Sequence, residues 1–193
     1  MLTMDVREEL PVQAAKNGDA EAWNVLFQRY RLPLYVYAFE LLRDRQDALD
    51  IVQETFLNAI RYLSTLRDED KLGSWLFSIA HQKCAQHFRR SSRTNAVFVD
   101  SAEDQVAEVP DRAEQPQQWL IRKEHQEQFL AIMARLAPSQ RSVLLLHFIE
   151  DFSLEEIAGI TGIPVGTVKS RLFYAKQALR KLIEDTDYEE FTA

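Results

Sequence analysis

The sequence predicts an all-α chain, and three observations support this fold class. Only five glycines and six prolines occur among 193 residues, whereas a sheet protein needs many turns. Ala, Leu, Glu, Gln and Arg, which favour helices, recur throughout the chain. In several segments the apolar residues return at spacings of three and four, as they do on one face of a helix. With 46% hydrophobic residues, the chain is expected to fold as a globular protein.

The first two predicted helices are delimited by their capping residues. Residues 5–16 are expected to form a helix that Asn17-Gly18 ends, because glycine readily adopts the left-handed conformation of a helix stop. Asp19 can then cap a second helix, since its carboxylate can accept hydrogen bonds from the first free backbone N–H groups. Pro33 is expected either to kink that helix or to break it.

Two further helices follow in the first half. Asp44 is the predicted cap of the third helix, and the polar stretch 64–73 separates it from the fourth. The predicted core positions of the third helix are Ala48, Ile51, Val52, Phe56, Ala59, Ile60 and Leu63. Those of the fourth are Leu72, Trp75, Leu76 and Ile79. Acids lie on the outer face of the third helix, and Ser78, Gln82, Gln86 and Arg89 on that of the fourth.

Charge is segregated along the chain, although its formal net charge is −7. Residues 74–93 and 164–183 contain no acid and several bases, which predicts two basic helices. Residues 94–119 contain six acids and one base, and the tail from Glu184 contains five acids and no base. A solvated charged face is the simple interpretation of any one such run, but two basic helices together favour contact with nucleic acid.

An acidic linker divides the chain into two predicted domains. Residues 94–115 lack a sustained period and contain a proline, which is typical of a linker. We therefore predict one domain over 1–93 and another over 116–193. Helical spacing resumes from about residue 117, and three more helical segments follow at SQRSVLLLHFIED, SLEEIAGI and PVGTVKSRLFYAKQALRKLI.

The second domain contains the pattern of a helix-turn-helix. Ser153 and Glu156 form a predicted capping box, the short helix ends near Thr161-Gly162, and Pro164 suits the opening of the next helix. A small αα-hairpin without DNA-binding function would show the same layout. The second helix is basic, however, and a helical wheel buries Val168, Leu172, Ala175 and Leu179. The wheel exposes Thr167, Ser170, Tyr174 and Gln177, and the cations Lys169 and Arg171 flank that face, as major-groove binding requires.

Three segments together resemble the extracytoplasmic-function sigma factors of the sigma-70 family. LEEIAGITGIPVGTVKSRLFYAKQALRKL is similar to their region 4, DALDIVQETFLNAI to region 2.2, and KLGSWLFSIAHQKCAQHFRR to regions 2.3 and 2.4. The resemblance covers most of both domains. It implies a region 2 bundle and a region 4 helix-turn-helix, without catalytic activity or a cofactor.

The resemblance also implies a role for each motif. Region 2.2 would bind the β′ coiled coil of core RNA polymerase through Asp47, Asp50, Gln53 and Glu54. The loop 64–73 and the following helix would open and read the minus-ten element through Trp75, Gln82, Lys83, Gln86, Arg89 and Arg90. The second domain would contact the β flap and read the minus-thirty-five element through Thr167, Lys169, Ser170, Arg171, Tyr174 and Lys176.

The chain departs from the family pattern on the helix of region 2.4. Gln82 and Gln86 stand where the family commonly has asparagine and aspartate, and His81 replaces its usual arginine. These departures leave the preferred minus-ten sequence open. An anti-sigma factor is expected from the resemblance, together with promoter DNA as a partner.

The sequence favours no other class of function as strongly. His81, Cys84 and His87 lie three residues apart but spread over about 120 degrees of the helix, so a metal site is not expected; a packed cysteine and surface histidines are expected instead. No phosphate-binding loop or acid/base pair in a pocket is evident, so we predict no enzyme. No apolar run is long enough to span a membrane, and a cytoplasmic location is expected. The remaining alternative is a conventional helix-turn-helix regulator in which residues 1–93 sense a ligand or dimerise.

Overall fold

The computed structural model describes residues 10–91 and 131–192, with side chains for residues 10–90 and 131–184. Within these ranges the chain contains helices and turns and no strand, so the all-α prediction is confirmed. The predicted linker 94–115, residues 5–9 of the first predicted helix and the segment 117–130 lie outside the described residues.

The described residues of the first half, 10–91, contain four α-helices. They are α1 (Val12–Lys16), α2 (Ala20–Leu42), α3 (Arg45–Tyr62) and α4 (Leu72–Ser91), with short 3₁₀ turns at Leu63–Thr65 and Glu69–Lys71. Helix α2 packs against α3 and α4, and α3 packs against α4. The three long helices therefore form a bundle, with α1 resting on α2.

The predicted caps begin these helices. Gly18 has a φ of +87°, which suits glycine after α1. Asp19 accepts hydrogen bonds from the backbone N–H groups of Glu21 and Ala22 at 2.8 and 2.9 Å, and Asp44 accepts one from Asp47 at 2.9 Å. Helix α2 continues through Pro33 without ending there, so the predicted break does not occur.

Three helices have both ends within the described residues of the second half, 131–192. They are α5 (Pro138–Leu144), which runs on into a π-helical turn at Leu145–Ile149, α6 (Leu154–Thr161) and α7 (Val165–Thr192). Helix α5 packs against α7, and α6 packs against α7 as well. The backbone of α7 remains helical through the first nine residues of the acidic tail, to Thr192.

One continuous hydrophobic cluster extends through both halves of the chain. Helix α4 packs against α6, and α2 packs against α5, so the two halves contact each other directly. The sequence suggested two domains with loosely defined spacing. In the structure they are closed against each other, because α2 and α4 each bury a second face.

That closure accounts for the burial of His81 and Phe77, and three other residues also differ from the predicted core. His81, expected at the surface, is only 9% exposed, and α4 also buries Phe77, which lay outside the predicted stripe. Trp75 and Ile79 are only partly buried. Ile60 was predicted in the core of α3 but is 59% exposed, because its position at the end of the stripe turns away from α2 and α4.

Candidate nucleic-acid interface

The helix-turn-helix of the second half has the predicted local geometry. Ser153 and Glu156 form the capping box: the Glu156 N–H donates to the Ser153 hydroxyl at 3.2 Å, and the Ser153 N–H donates to the Glu156 carboxylate at 3.0 Å. Gly162 ends α6 with a φ of +72°, which glycine adopts without strain. The capping box thus sets where α6 begins, and Gly162 sets where it ends and so where α7 can start.

Helix α7 presents a polar side to solvent. Val168, Leu172 and Ala175 are buried as predicted, whereas Leu179 is only partly buried. Lys169, Tyr174 and Gln177 are exposed, and Thr167, Arg171 and Lys176 are half-buried. Ammonium and guanidinium groups on an exposed helix face can contact phosphates and base edges in the major groove.

Two of the residues predicted for this interface have unexpected surroundings. Ser170 was placed on the exposed face, but it is 6% exposed and donates its hydroxyl hydrogen to the Thr167 carbonyl at 3.1 Å. The exposed placement from the wheel was therefore wrong, since the short side chain folds back onto its own helix. The ammonium of Lys176 lies 5.3 Å from the centre of the Phe148 ring, which holds it beside the π-helical turn.

The basic end of α4 forms a second polar surface. Gln82, Arg89 and Arg90 are exposed, Lys83 and Gln86 are half-buried, and Trp75 packs partly against the core. The structure thus brings five of the six residues predicted for minus-ten recognition to one end of α4, with Trp75 about two turns closer to its N-terminus.

The acidic face of α3 lies beside this surface. Asp50, Gln53 and Glu54 are exposed, and Asp47 is half-buried. The Lys83 ammonium donates to the Glu54 carboxylate at 2.7 Å, and Nε2 of His87 lies 3.2 Å from the Asp47 carboxylate. The acids predicted for polymerase binding and the bases predicted for DNA binding therefore share one cleft.

A buried hydrogen-bonded group joins the two halves. The Tyr37 hydroxyl on α2 lies 2.7 Å from Nδ1 of His81 on α4 and 2.8 Å from the Ser142 hydroxyl on α5. Burial, and secondarily the charge of Arg171, lowers the pKa of His81 to about 4, so its ring is neutral at pH 7. A neutral ring can accept the Tyr37 hydrogen, while Tyr37 accepts that of Ser142.

Other contacts surround that group. Arg141 on α5 donates to the Glu40 carbonyl on α2, and the rings of Phe77 and Phe152 meet edge to face with centroids 5.2 Å apart. Lys71 and Glu156 form an ion pair at 3.3 Å. The sequence does not reveal this contact between the halves, because its members are separated by as many as 105 positions and neither helical period nor charge pairs them. The only sequence signal was His81, a polar residue next to the apolar stripe of α4.

Neither a metal centre nor a membrane span is found in the part of the chain that the structure describes. No three His, Cys, Asp or Glu side chains converge there in a way that would hold an ion. No helix in that part is both long and apolar enough to cross a bilayer.

Comparison with known proteins identifies both halves separately. The family model for Sigma-70 region 2 matches residues 26–94, and that for Sigma-70, region 4 matches residues 126–179. The RNA polymerase sigma-H factor of Pseudomonas aeruginosa is 30% identical over 188 residues, which cover 95% of this chain and 97% of that protein. The ECF RNA polymerase sigma factor SigW of Bacillus subtilis is 25% identical, with 94% and 100% covered.

Solved structures agree with these matches. The sigma factor RpoE of Bartonella quintana, in complex with the anti-sigma factor NepR, is 26% identical, with a TM-score of 0.60 over 82% of this chain and 96% of that one. CnrH in complex with the cytosolic domain of CnrY gives a TM-score of 0.63 over 90% and 95% at 22% identity, which supports the fold alone.

Proposed function

This chain belongs to the extracytoplasmic-function group of the sigma-70 family, and we propose which of its surfaces carry out each step of promoter recognition. It binds core RNA polymerase and directs promoter-specific initiation of transcription. One observation carries the division of roles: a helix-turn-helix stands in one half, and an acidic helix beside a basic one stands in the other. A conventional regulator needs only the first of these.

Helix α7 is proposed to read the minus-thirty-five element. Lys169 and Arg171 would supply cations to phosphates and base edges, with Thr167, Tyr174 and Lys176 around them. Ser170 is buried here, so within this set it would support the helix rather than contact a base unless the domain rearranges on DNA.

Helix α4 is proposed to read the minus-ten element once the strands have separated. Gln82 and Gln86 offer amide donors and acceptors, and Lys83, Arg89 and Arg90 offer cations to the backbone of a single strand. Trp75 would provide a ring for stacking a base. His81 makes a buried hydrogen bond to Tyr37, so it is a poor substitute for an exposed arginine at this position.

The acidic face of α3 is proposed to dock on core polymerase. Asp47, Asp50, Gln53 and Glu54 lie along one side of the helix, where carboxylates would complement a basic coiled coil of β′.

We propose that 1–93 and 116–193 act as separate modules across a linker at 94–115, and that the second module meets the β flap. The protein would act in the cytoplasm and would catalyse no reaction itself.

An anti-sigma factor is proposed as the natural inhibitor. In the similar RpoE structure, that sigma factor is in complex with the anti-sigma factor NepR. RpoE is 26% identical to this chain, and the match covers 96% of RpoE. This similarity supports the expectation that a comparable partner holds this chain inactive.

The test is a selection of DNA from a randomised duplex pool by the purified chain, by core polymerase, and by both together. We expect only the mixture to enrich two separated motifs, because the reading surfaces lie on different halves. A variant carrying Asp50→Lys and Glu54→Lys should keep its helix content, lose core binding and enrich nothing. Strong enrichment by the chain alone, at paired half-sites, would instead support the regulator.

A further inference from the structure

We infer that the cleft between α3 and α4 couples polymerase docking to minus-ten recognition through Lys83 and Glu54. The inference rests on the proposed function, which assigns the acids of this cleft to core polymerase and its bases to DNA. In the free chain these groups bind each other, so each would have to be released before it could bind its proposed partner.

The geometry of the cleft supports this competition. The Lys83 ammonium lies 2.7 Å from a Glu54 oxygen, with the two side chains 22% and 51% exposed. One turn away, His87 lies 3.2 Å from an Asp47 oxygen. Asp50, Ile51, Gln86 and Arg90 complete the walls. Two helices with separate proposed partners thus contribute opposite charges to a single groove.

The ion pair holds Lys83 and Glu54 against each other, and binding of either core polymerase or DNA would break it. A carboxylate that accepts a charge-assisted hydrogen bond from Lys83 binds a basic surface of polymerase less well. Likewise, an ammonium held against Glu54 binds a DNA phosphate less well. A basic polymerase surface that captures Glu54 would therefore release Lys83 toward DNA.

Thermodynamic linkage makes this coupling reciprocal. If core polymerase raises the affinity of the α4 surface for DNA, then DNA must raise the affinity for core by the same factor. Exposed ion pairs contribute little individually, so the coupling expected from this pair is about two- to fivefold. An effect of that size would favour assembly of all three components over any two.

The experiment measures the affinity of the full-length chain for core polymerase without DNA. Glu54→Gln should weaken binding, because it removes a docking carboxylate. Lys83→Met should strengthen it about two- to fivefold, because Glu54 is then available. In the double variant, Lys83→Met should give no gain over Glu54→Gln alone. Lys16→Met, which removes the lysine of a comparable pair with Glu69 at 2.9 Å, is the matched control and should leave core affinity unchanged.

The outcomes separate the coupling from the docking assignment. If Glu54→Gln weakens core binding but Lys83→Met leaves it unchanged, the coupling is overturned and the docking face stands. A gain from Lys83→Met that persists in the Glu54→Gln background also overturns it, since the effect is then general charge and not this pair. If Glu54→Gln leaves core affinity unchanged, the proposed docking role of Glu54 is overturned, and the coupling that depends on it is overturned as well.

A second arm uses a single-stranded DNA oligonucleotide and the free chain at low salt. Glu54→Gln should raise its affinity for the strand about two- to fivefold, and this gain should vanish when Lys83→Met is added. Equal gains with and without Lys83 would contradict the release of this ammonium.

Discussion

At the scale of single residues, His81 shows how burial changes the chemistry of one side chain. Its pKa is lowered to about 4 by burial and by the charge of Arg171 on α7, while Tyr37 and Ser142 face it from α2 and α5. The unfolded chain takes up this proton below about pH 6.5, but the folded chain does so only near 4. The contribution of His81 to stability is therefore present above pH 6.5 and lost as the pH falls toward 4.

The change that tests this is His81→Gln, which retains a polar group. We expect the free energy of unfolding of the unmodified chain to fall between pH 7.5 and 4.5 by up to about 3 kcal/mol more than that of the variant. Urea denaturation at both pH values measures the difference. Parallel losses in the two proteins would show that His81 is not the titrating group.

Glu150 has the opposite pH dependence. Burial raises the pKa of its carboxyl to about 7, against the lowering influence of Arg29. A carboxyl with a raised pKa contributes full stability below its ordinary value and loses it as the pH rises through 7. Glu150→Gln should therefore raise the melting temperature at pH 8 and change it little at pH 5. Glu184→Gln replaces an exposed acid and is the control. It should change the melting temperature little at either pH.

Local capping was predictable at this scale, and buried polar pairing was not. The Ser153–Glu156 box depends on residues three apart, so the sequence contains both partners side by side. The His81–Tyr37 bond joins residues 44 positions apart. Without knowing that α6 packs against α4 and that Ser142 of α5 faces His81, a helical wheel assigns such a histidine to solvent.

At the scale of elements, α7 is the proposed reading helix. Arg171→Ala is expected to cost about 1 to 3 kcal/mol of promoter binding by the assembled enzyme if the guanidinium reads a base. Lys169→Ala should weaken binding to all sequences alike and reduce its dependence on salt. Promoter titrations at two salt concentrations measure both effects.

Lys181→Ala removes an exposed base farther along the same helix and serves as the control. It is expected to retain promoter affinity, since it lies almost two turns beyond Tyr174. If the Lys169→Ala and Arg171→Ala double variant binds promoters normally, α7 does not read DNA through this face.

The sequence predicted the elements better than their buried faces. The bounds of α2, α3 and α6 follow from caps that the sequence displays. The wheel also identified Val168, Leu172 and Ala175 as buried. It missed Phe77 because a wheel assumes one apolar stripe per helix, whereas α4 is covered on two sides.

At the scale of the whole molecule, the closed contact between the halves is expected to restrain DNA binding. The Tyr37–Ser142 hydrogen bond and the Phe77–Phe152 ring contact both lie across it. In this arrangement α6 packs against both α4 and α7 and so links the position of α7 to that of α4. Polymerase would have to separate the halves before both promoter elements were read at their proper spacing.

A variant with Ser142→Ala and Phe152→Leu should favour the open arrangement. We expect the free variant to bind promoter duplex more tightly than the unmodified chain, by a factor of several, because a buried hydrogen bond contributes about 1 kcal/mol. Once assembled with core, the two proteins should bind alike. Ser139→Ala, at the start of α5, is the control, and an unchanged affinity of the free variant would argue against restraint by closure.

Apart from His81 beside the apolar stripe of α4, nothing in the sequence indicates this closure, although the sequence indicates both halves. Acids and bases that lie near each other can pair with one another instead of with a partner, and in the cleft between α3 and α4 they do pair. The acids concerned, Asp47 and Glu54, belong to the first half itself. The side chains of the linker acids, and of all the tail acids except Glu184, lie outside the described residues.

The single cysteine provides a direct measure of how often the first half opens. Cys84 is fully buried in α4, and burial raises the pKa of its thiol to about 12. In the closed bundle it should therefore react very slowly with alkylating reagents, which attack the thiolate. Modification would require local unfolding of α4, so the rate of labelling at limiting reagent reports that opening equilibrium. Because Cys84 reacts so slowly, a second cysteine introduced on an exposed part of α7 could be labelled selectively with a fluorophore in the folded protein.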